Sequence, residues 1–231
     1  MGIWLIAVDN IKKKKGNAIL LMIMISFAVM MLYVGISILT NLGRNIDERN
    51  NLINGADFLL LSSNANTSKT LDEIKSSNSV KSAESEKGLY LPNLKYYKKG
   101  EQNNNYTNRI NYLFQKKDND REISVVTLID EGKKWTQDSI ILPYYMKAGL
   151  GYKTGDVISL EIYHKIYYFT VYGFMDDIMF STPTNISTER VFIDNKMYST
   201  LFEQSKKEIT VYKAILNARV DIEDFESSMT E

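Results

Sequence analysis

The 231 residues carry 28 basic and 28 acidic side chains, one histidine and no cysteine. That balance excludes a basic nucleic-acid surface, a disulfide framework and thiolate chemistry. It also leaves the usual His/Cys metal sites without their ligands.

The first eleven residues, MGIWLIAVDNI, place Ile3, Trp4, Ala7, Val8 and Ile11 on one helical face. This predicts a short interfacial helix on the cytoplasmic side, so that residues 1–17 form a surface helix followed by the Lys12–Lys15 cluster. Residues 18–42 then run for 25 residues without a charge. As a helix this stretch extends about 37 Å, enough to cross a hydrocarbon core of about 30 Å. Thirteen of its residues are Leu, Ile, Val or Phe, which favours insertion by about 4–8 kcal/mol. A cleavable signal peptide has a shorter apolar region and a small-residue cleavage site, whereas Gly43-Arg44-Asn45-Ile46-Asp47 follows here. A buried helix of a soluble protein does not carry 25 uncharged residues beside four lysines. The lysine cluster sets the orientation, with the N-terminus cytoplasmic and everything beyond residue 43 outside the cell. The outer part has 24 basic and 27 acidic residues and is long enough for one domain or two small ones.

Residues 43–55 are predicted to continue the helix as a stalk over Asn45–Asn54, capped by Gly55. Asp57–Ser62 reads as a buried strand, and Thr70-Leu71-Asp72-Glu73 as a capping box opening a helix to about Ser77. Val80–Tyr97 contains an extended segment around Gly88–Leu91, with Pro92 at its end. Residues 98–106 read as a hairpin tip. Arg109–Phe114 and Glu122–Ile129 read as strands, as does Ser139–Leu142, which stops at Pro143. Tyr144–Leu150 predicts one or two helical turns. Gly155-Asp156 is a turn dipeptide leading to strands Val157–Tyr163 and Ile166–Phe174, with His164-Lys165 as the hairpin tip. Val191–Ile193 reads as a strand, Met197–Glu203 as a helix, Glu208–Ala218 as a long strand and Asp221–Glu231 as a helix start. Within that last helix Ile222 and Phe225 have the spacing of a core-seeking face.

No catalytic constellation emerges. His164 at a hairpin tip reads as a solvated turn residue. Asp176-Asp177 reads as a polar turn after a strand, since a calcium loop needs several spaced oxygens. The tyrosines at 163, 167, 168 and 172 read as sheet packing. There is no G-x-x-x-x-G-K-[ST] motif for nucleotide. The expected catalytic, cofactor-binding and metal residues are therefore none, and the chain is expected not to be an enzyme.

One stretch, Ser139–Phe180, is more specific. An apolar strand leads to a short helix ending in Ala148-Gly149-Leu150. Then come Gly155-Asp156, Ile158 and Phe169-Thr170-Val171-Tyr172-Gly173-Phe174. In order and spacing these resemble the extracellular domain of FtsX/MacB-type ABC transporter permeases. The N-terminus, with Asn10-Ile11-Lys12-Lys13-Lys14-Lys15 before the first span, is similar to that family too. The resemblance implies a single transmembrane helix plus an α+β extracellular domain of the MacB-like periplasmic core type. A β-α-β membrane-proximal layer would come from 58–97 and 208–231 within 56–231, with a β-rich distal insertion over 98–207. It implies a permease subunit that couples a separate cytoplasmic ABC ATPase to the ectodomain. Gly35 and the stalk Asn45–Asn54 would carry motion. The partners would be the lipid bilayer, the ATPase and a second permease copy or missing C-terminal half, with no nucleic acid. Such permeases have four membrane helices and this chain has one, so a fragment or split gene product is expected, poorly stable alone. A single-pass receptor or adhesin binding a peptide or glycan outside the cell is the alternative. A membrane-anchored hydrolase is the weaker third reading.

Overall fold

The structure, a computed structural model, describes residues 15–63, 67–98, 108–177, 180, 188–218 and 220–230. The interfacial helix expected over Ile3–Ile11, the lysines at 12–14 and most of the 98–106 hairpin tip lie outside them. The chain forms two units, Met1–Glu48 and Arg49–Glu231.

Helix α1 (Lys15–Leu52) is one continuous element of 38 residues. Its apolar side chains from Ile19 to Leu42 are all exposed, Leu32 at 65% and Leu39 at 71%. The helix is long and apolar enough to cross a membrane. Thr40 returns its hydroxyl to the Ile36 carbonyl at 2.9 Å, so this hydroxyl costs little in an apolar medium. The left-handed residue that ends the helix is Asn54 (φ 49°) rather than Gly55. Asn tolerates that conformation because its short side chain bonds locally.

Among the described residues the second unit holds nine strands: β1 (Phe58–Ser62), β2 (Val80–Lys98), β3 (Asn108–Lys116), β4 (Thr127–Glu131), β5 (Ser139–Pro143), β6 (Val157–Ile162), β7 (Lys165–Asp176), β8 (Thr188–Ile193) and β9 (Glu208–Leu216). Pairing runs β2–β3–β8–β5–β7, and β6 pairs with both β7 and β2. These six strands therefore close into a barrel. Its interior is filled by Leu89, Leu91, Tyr112, Phe114, Leu160, Phe169, Val171 and Val191 among others, as expected for so small a barrel.

The 19-residue β2 makes this possible. Inward residues are Leu89 and Leu91 before Pro92-Asn93, then Leu94 and Tyr96 after it. The register breaks between Leu91 and Leu94, and Asn93 takes φ 59°. The bulge flips the side-chain parity, so apolar residues on either side still face the core. Pro92 thus sits inside a strand, at an irregularity where its missing N–H is tolerated, and does not end it.

The first half of β2 pairs instead with β9, which pairs with β1. Helices α2 (Thr67–Ser76) and α5 (Ile222–Thr230) contribute Ile74 and Phe225 to a second core with Phe58, Tyr212 and Ala214. Phe58 and Phe225 meet edge to face at 5.1 Å. Helix α2 begins at Thr67, three residues before the expected capping box, so Thr70 lies within it. Of the expected Ile222/Phe225 face, Phe225 is buried while Ile222 is 47% exposed. Helices α3 (Tyr144–Ala148) and α4 (Asn195–Ser205) pack on the barrel through Met146, Tyr198 and Leu201. The Asp194 carboxylate caps α4 by accepting from the Lys196 N–H at 2.8 Å.

Three further expectations need correction. Residues 122–126 are not strand; Ser124 has φ 55° and only β4 pairs. The β6–β7 tip is Tyr163-His164, both at positive φ, because Ile162 pairs with Lys165. Asp177 is not a solvated turn residue, as described next.

Candidate functional site

The polar groups that the fold brings together lie where the end of α1 meets the domain, within the second unit. Ser124 N–H donates to the Asn54 carbonyl at 2.9 Å, and Val125 N–H to the Ile53 carbonyl at 2.7 Å. Asn54 returns its side-chain N–H to the Glu122 carbonyl at 2.6 Å, and the Ala56 N–H donates to Ser124 Oγ at 3.2 Å. Arg49 pairs with Asp176 at the end of β7. A helix C-terminus leaves four carbonyls without partners; here the loop between β3 and β4 satisfies groups in the turn after it.

That loop is itself held by buried charge. Arg121 is spent entirely inside the protein. Its Nε and Nη2 donate to both oxygens of Glu86 at 3.1 and 2.5 Å, Nη1 donates to the carbonyls of Lys117 and Asn119, and Nη2 also reaches the Lys116 carbonyl. Its guanidinium lies 4.3 Å from the Phe192 ring centre. Lys213, 1% exposed in the middle of β9, binds Glu84 at 2.6 Å, Glu86 at 3.5 Å and the Ile123 carbonyl at 3.0 Å. Glu122 N–H donates to Glu84 Oε2 at 2.9 Å. The end of α1, the loop, β2 and β9 thus form one bonded network, and a buried charge pair of this kind is costly to break.

A second buried pair stands beside it. Arg190 Nε donates to Asp177 Oδ2 at 2.5 Å, and both side chains are at most 2% exposed. Asp177 Oδ1 also accepts from the Phe180 N–H at 3.2 Å.

The sequence singles out Asp176-Asp177, as a polar turn, and the stalk that ends at Asn54, but not Glu84, Glu86, Arg121, Ser124, Arg190 or Lys213. The available signal was charge inside apolar strands: Lys213 in EITVYKAIL and Arg190 in TERVFI. His164, which the sequence reads as a solvated turn residue, is exposed at the β6–β7 tip, and sheet packing is the expectation for the four tyrosines. Of these Tyr167 is buried in the core and Tyr172 packs edge to face on Trp135 at 5.1 Å, whereas Tyr163 and Tyr168 are about half exposed. Among the described residues no three His, Asp or Glu side chains gather as a metal site.

No family model matches the chain, and no curated protein matches it either. Among solved structures it is similar to a domain of a protein described as a permease from Porphyromonas gingivalis, at 12% identity over 73% of this chain and 74% of that one, TM-score 0.38. It is also similar to the periplasmic region of MacB from Actinobacillus actinomycetemcomitans, at 13% identity over 80% of this chain and 86% of that one, TM-score 0.38.

Proposed function

We propose that this chain is a permease-type subunit of an ABC transporter, held in the cell membrane by α1 with Lys12–Lys15 in the cytoplasm. A separate cytoplasmic ATPase drives it, the domain over 56–231 works outside the cell, and the membrane-proximal layer is built from 58–97 and 208–231. The observation that carries this reading is the order of features along the chain: basic cluster, single uncharged span, then the Gly155-Asp156 turn and the Val171-Tyr172-Gly173-Phe174 strand. The bonded network around Asn54, Ser124 and Arg121 supports a role in transmitting force, because a helix end fastened at several points moves its attachment with it. A second permease copy and the lipid bilayer are the other partners.

The absence of cysteine makes the test clean. Ser63→Cys should react with a membrane-impermeant maleimide added to intact cells, while Lys13→Cys should react only after lysis. The reverse pattern overturns the orientation. A cleavable crosslinker placed at Lys13→Cys in the native cells should capture a protein bearing a G-x-x-x-x-G-K-[ST] nucleotide-binding motif. Crosslinked products without any nucleotide-binding protein overturn the transporter reading and favour a single-pass receptor.

A further inference from the structure

The outer wall of the barrel carries a row of aromatic and polar side chains that the coupling network does not use. Strands β2, β6 and β7 lie side by side there. Tyr97 pairs with Ser159 and Ser159 with Tyr168; Lys95 pairs with Glu161 and Glu161 with Ile166. Their neighbours Tyr96, Leu160 and Tyr167 point into the core, so these two rows face outward. Tyr168 is 51% exposed and Tyr163 at the adjoining tip 49%.

Three observations bear on what this wall meets. Ser159 lies between the two tyrosines in register and has no exposure, yet its hydroxyl has no hydrogen-bond partner among the described residues. Buried hydroxyls are rarely left so. Tyr97 and Tyr168 stand two strand spacings apart on this face, about 10 Å. Beyond them the Lys95–Glu161 ion pair (3.1 Å) forms part of a cleft of about 240 Å³ that also takes in Asn93 and Tyr163.

We infer that this wall binds a saccharide. A pyranose offers apolar C–H faces, which suit the electron-rich faces of exposed tyrosine rings. It also offers hydroxyls, which both donate and accept. Glu161 would accept from them, Lys95 would donate, and Ser159 would do either once Tyr168 swings aside. A peptide added as a strand is disfavoured here, because β6 is already paired along both edges and its backbone groups are spent. The inference stands whether or not an ATPase partners the chain.

The test uses the full chain in nanodiscs. Saturation-transfer NMR is recorded with three probes: the N-acetylglucosamine trimer, cellotriose and maltotriose. At least one should show transfer to its ring protons. Tyr168→Ala should weaken that binding about fivefold, since one ring contact is worth roughly 1 kcal/mol, and Tyr168→Phe should retain most of it. Ser159→Ala should also weaken it while leaving the melting temperature unchanged or raised, because only an unpartnered hydroxyl is lost. If Tyr168→Ala lowers the melting temperature, Ser159→Ala decides. The inference is overturned if none of the three probes shows transfer, if both variants bind like the parent chain, or if the peptide Ala-Phe-Ala binds and no saccharide does.

Discussion

Gly155 and Gly173 keep their places for different reasons. Gly155 sits at φ +88° with open space around its Cα, so a side chain there is penalised by backbone conformation alone. Gly155→Val should cost about 1 kcal/mol in a chemical denaturation curve. A Cβ on Gly173 would lie 2.6 Å from the Asp130 carbonyl oxygen across the β4–β7 ladder, a clash with backbone that no side-chain rotation relieves. Gly173→Ala should therefore cost more, about 2 kcal/mol; equal losses at the two sites would refute this ordering. The two-residue tip Tyr163-His164, at φ 50° and 63°, matches a type I′ turn, which prefers Asn-Gly. His164→Gly should stabilise the domain by about 0.5–1 kcal/mol. A loss of stability on that change would mean that the imidazole has a role the exposed tip does not show.

At the scale of elements, the loop between β3 and β4 and the turn before β6 decide what their neighbours do. The alternation in EISVVTLI predicts one strand over 122–129, but the amides of Ser124 and Val125 are taken by the end of α1. The strand therefore starts only at Thr127. In the turn before β6, Asp156 receives the Lys153 N–H at 2.8 Å and the Lys98 ammonium at 2.6 Å. Partial burial pushes its carboxyl up, yet the Lys98 and Lys153 interactions outweigh it and hold the carboxyl below its ordinary 3.8. A carboxyl depressed on folding contributes stability above its unfolded value, and that contribution is lost as pH falls through the lower folded one. The melting temperature should thus decline below about pH 4, and Asp156→Asn should flatten part of that decline. Parallel melting curves for the two proteins from neutral pH to pH 2 would refute the assignment.

At the scale of the whole domain, Lys213 ties β9 to β2 and to the loop between β3 and β4. It touches Glu84 and Glu86 on β2 and the Ile123 carbonyl in the loop, from a fully buried position on β9. Removing it takes this partner from the partly exposed Glu84 and leaves the buried Glu86 to Arg121 alone. Lys213→Ala should cost about 3–5 kcal/mol and should speed hydrogen exchange at the Ser124 and Val125 amides, which read the hold on the end of α1. A variant with parent-like stability and exchange would mean that the loop is fixed by Arg121 alone.

What the sequence determined by itself is what depends on neighbours in the chain. Uncharged length fixed α1 as a membrane-competent helix, since a continuous apolar stretch needs no partner to be recognised. Alternation and Gly/Asp punctuation located β3, β5, β6, β7, β8 and β9 to within a few residues. Only the tertiary structure decided what depends on pairing across long separations. Closure of the barrel requires β6 to meet β2, 60 residues away in the chain, and the parity flip at Pro92-Asn93 is visible only once β3 supplies the register. The charges at Glu86, Arg121, Asp177, Arg190 and Lys213 read as ordinary polar residues along the chain. Their burial, and hence their cost and their hold on the helix end, arises because folding removes water from all of them at once.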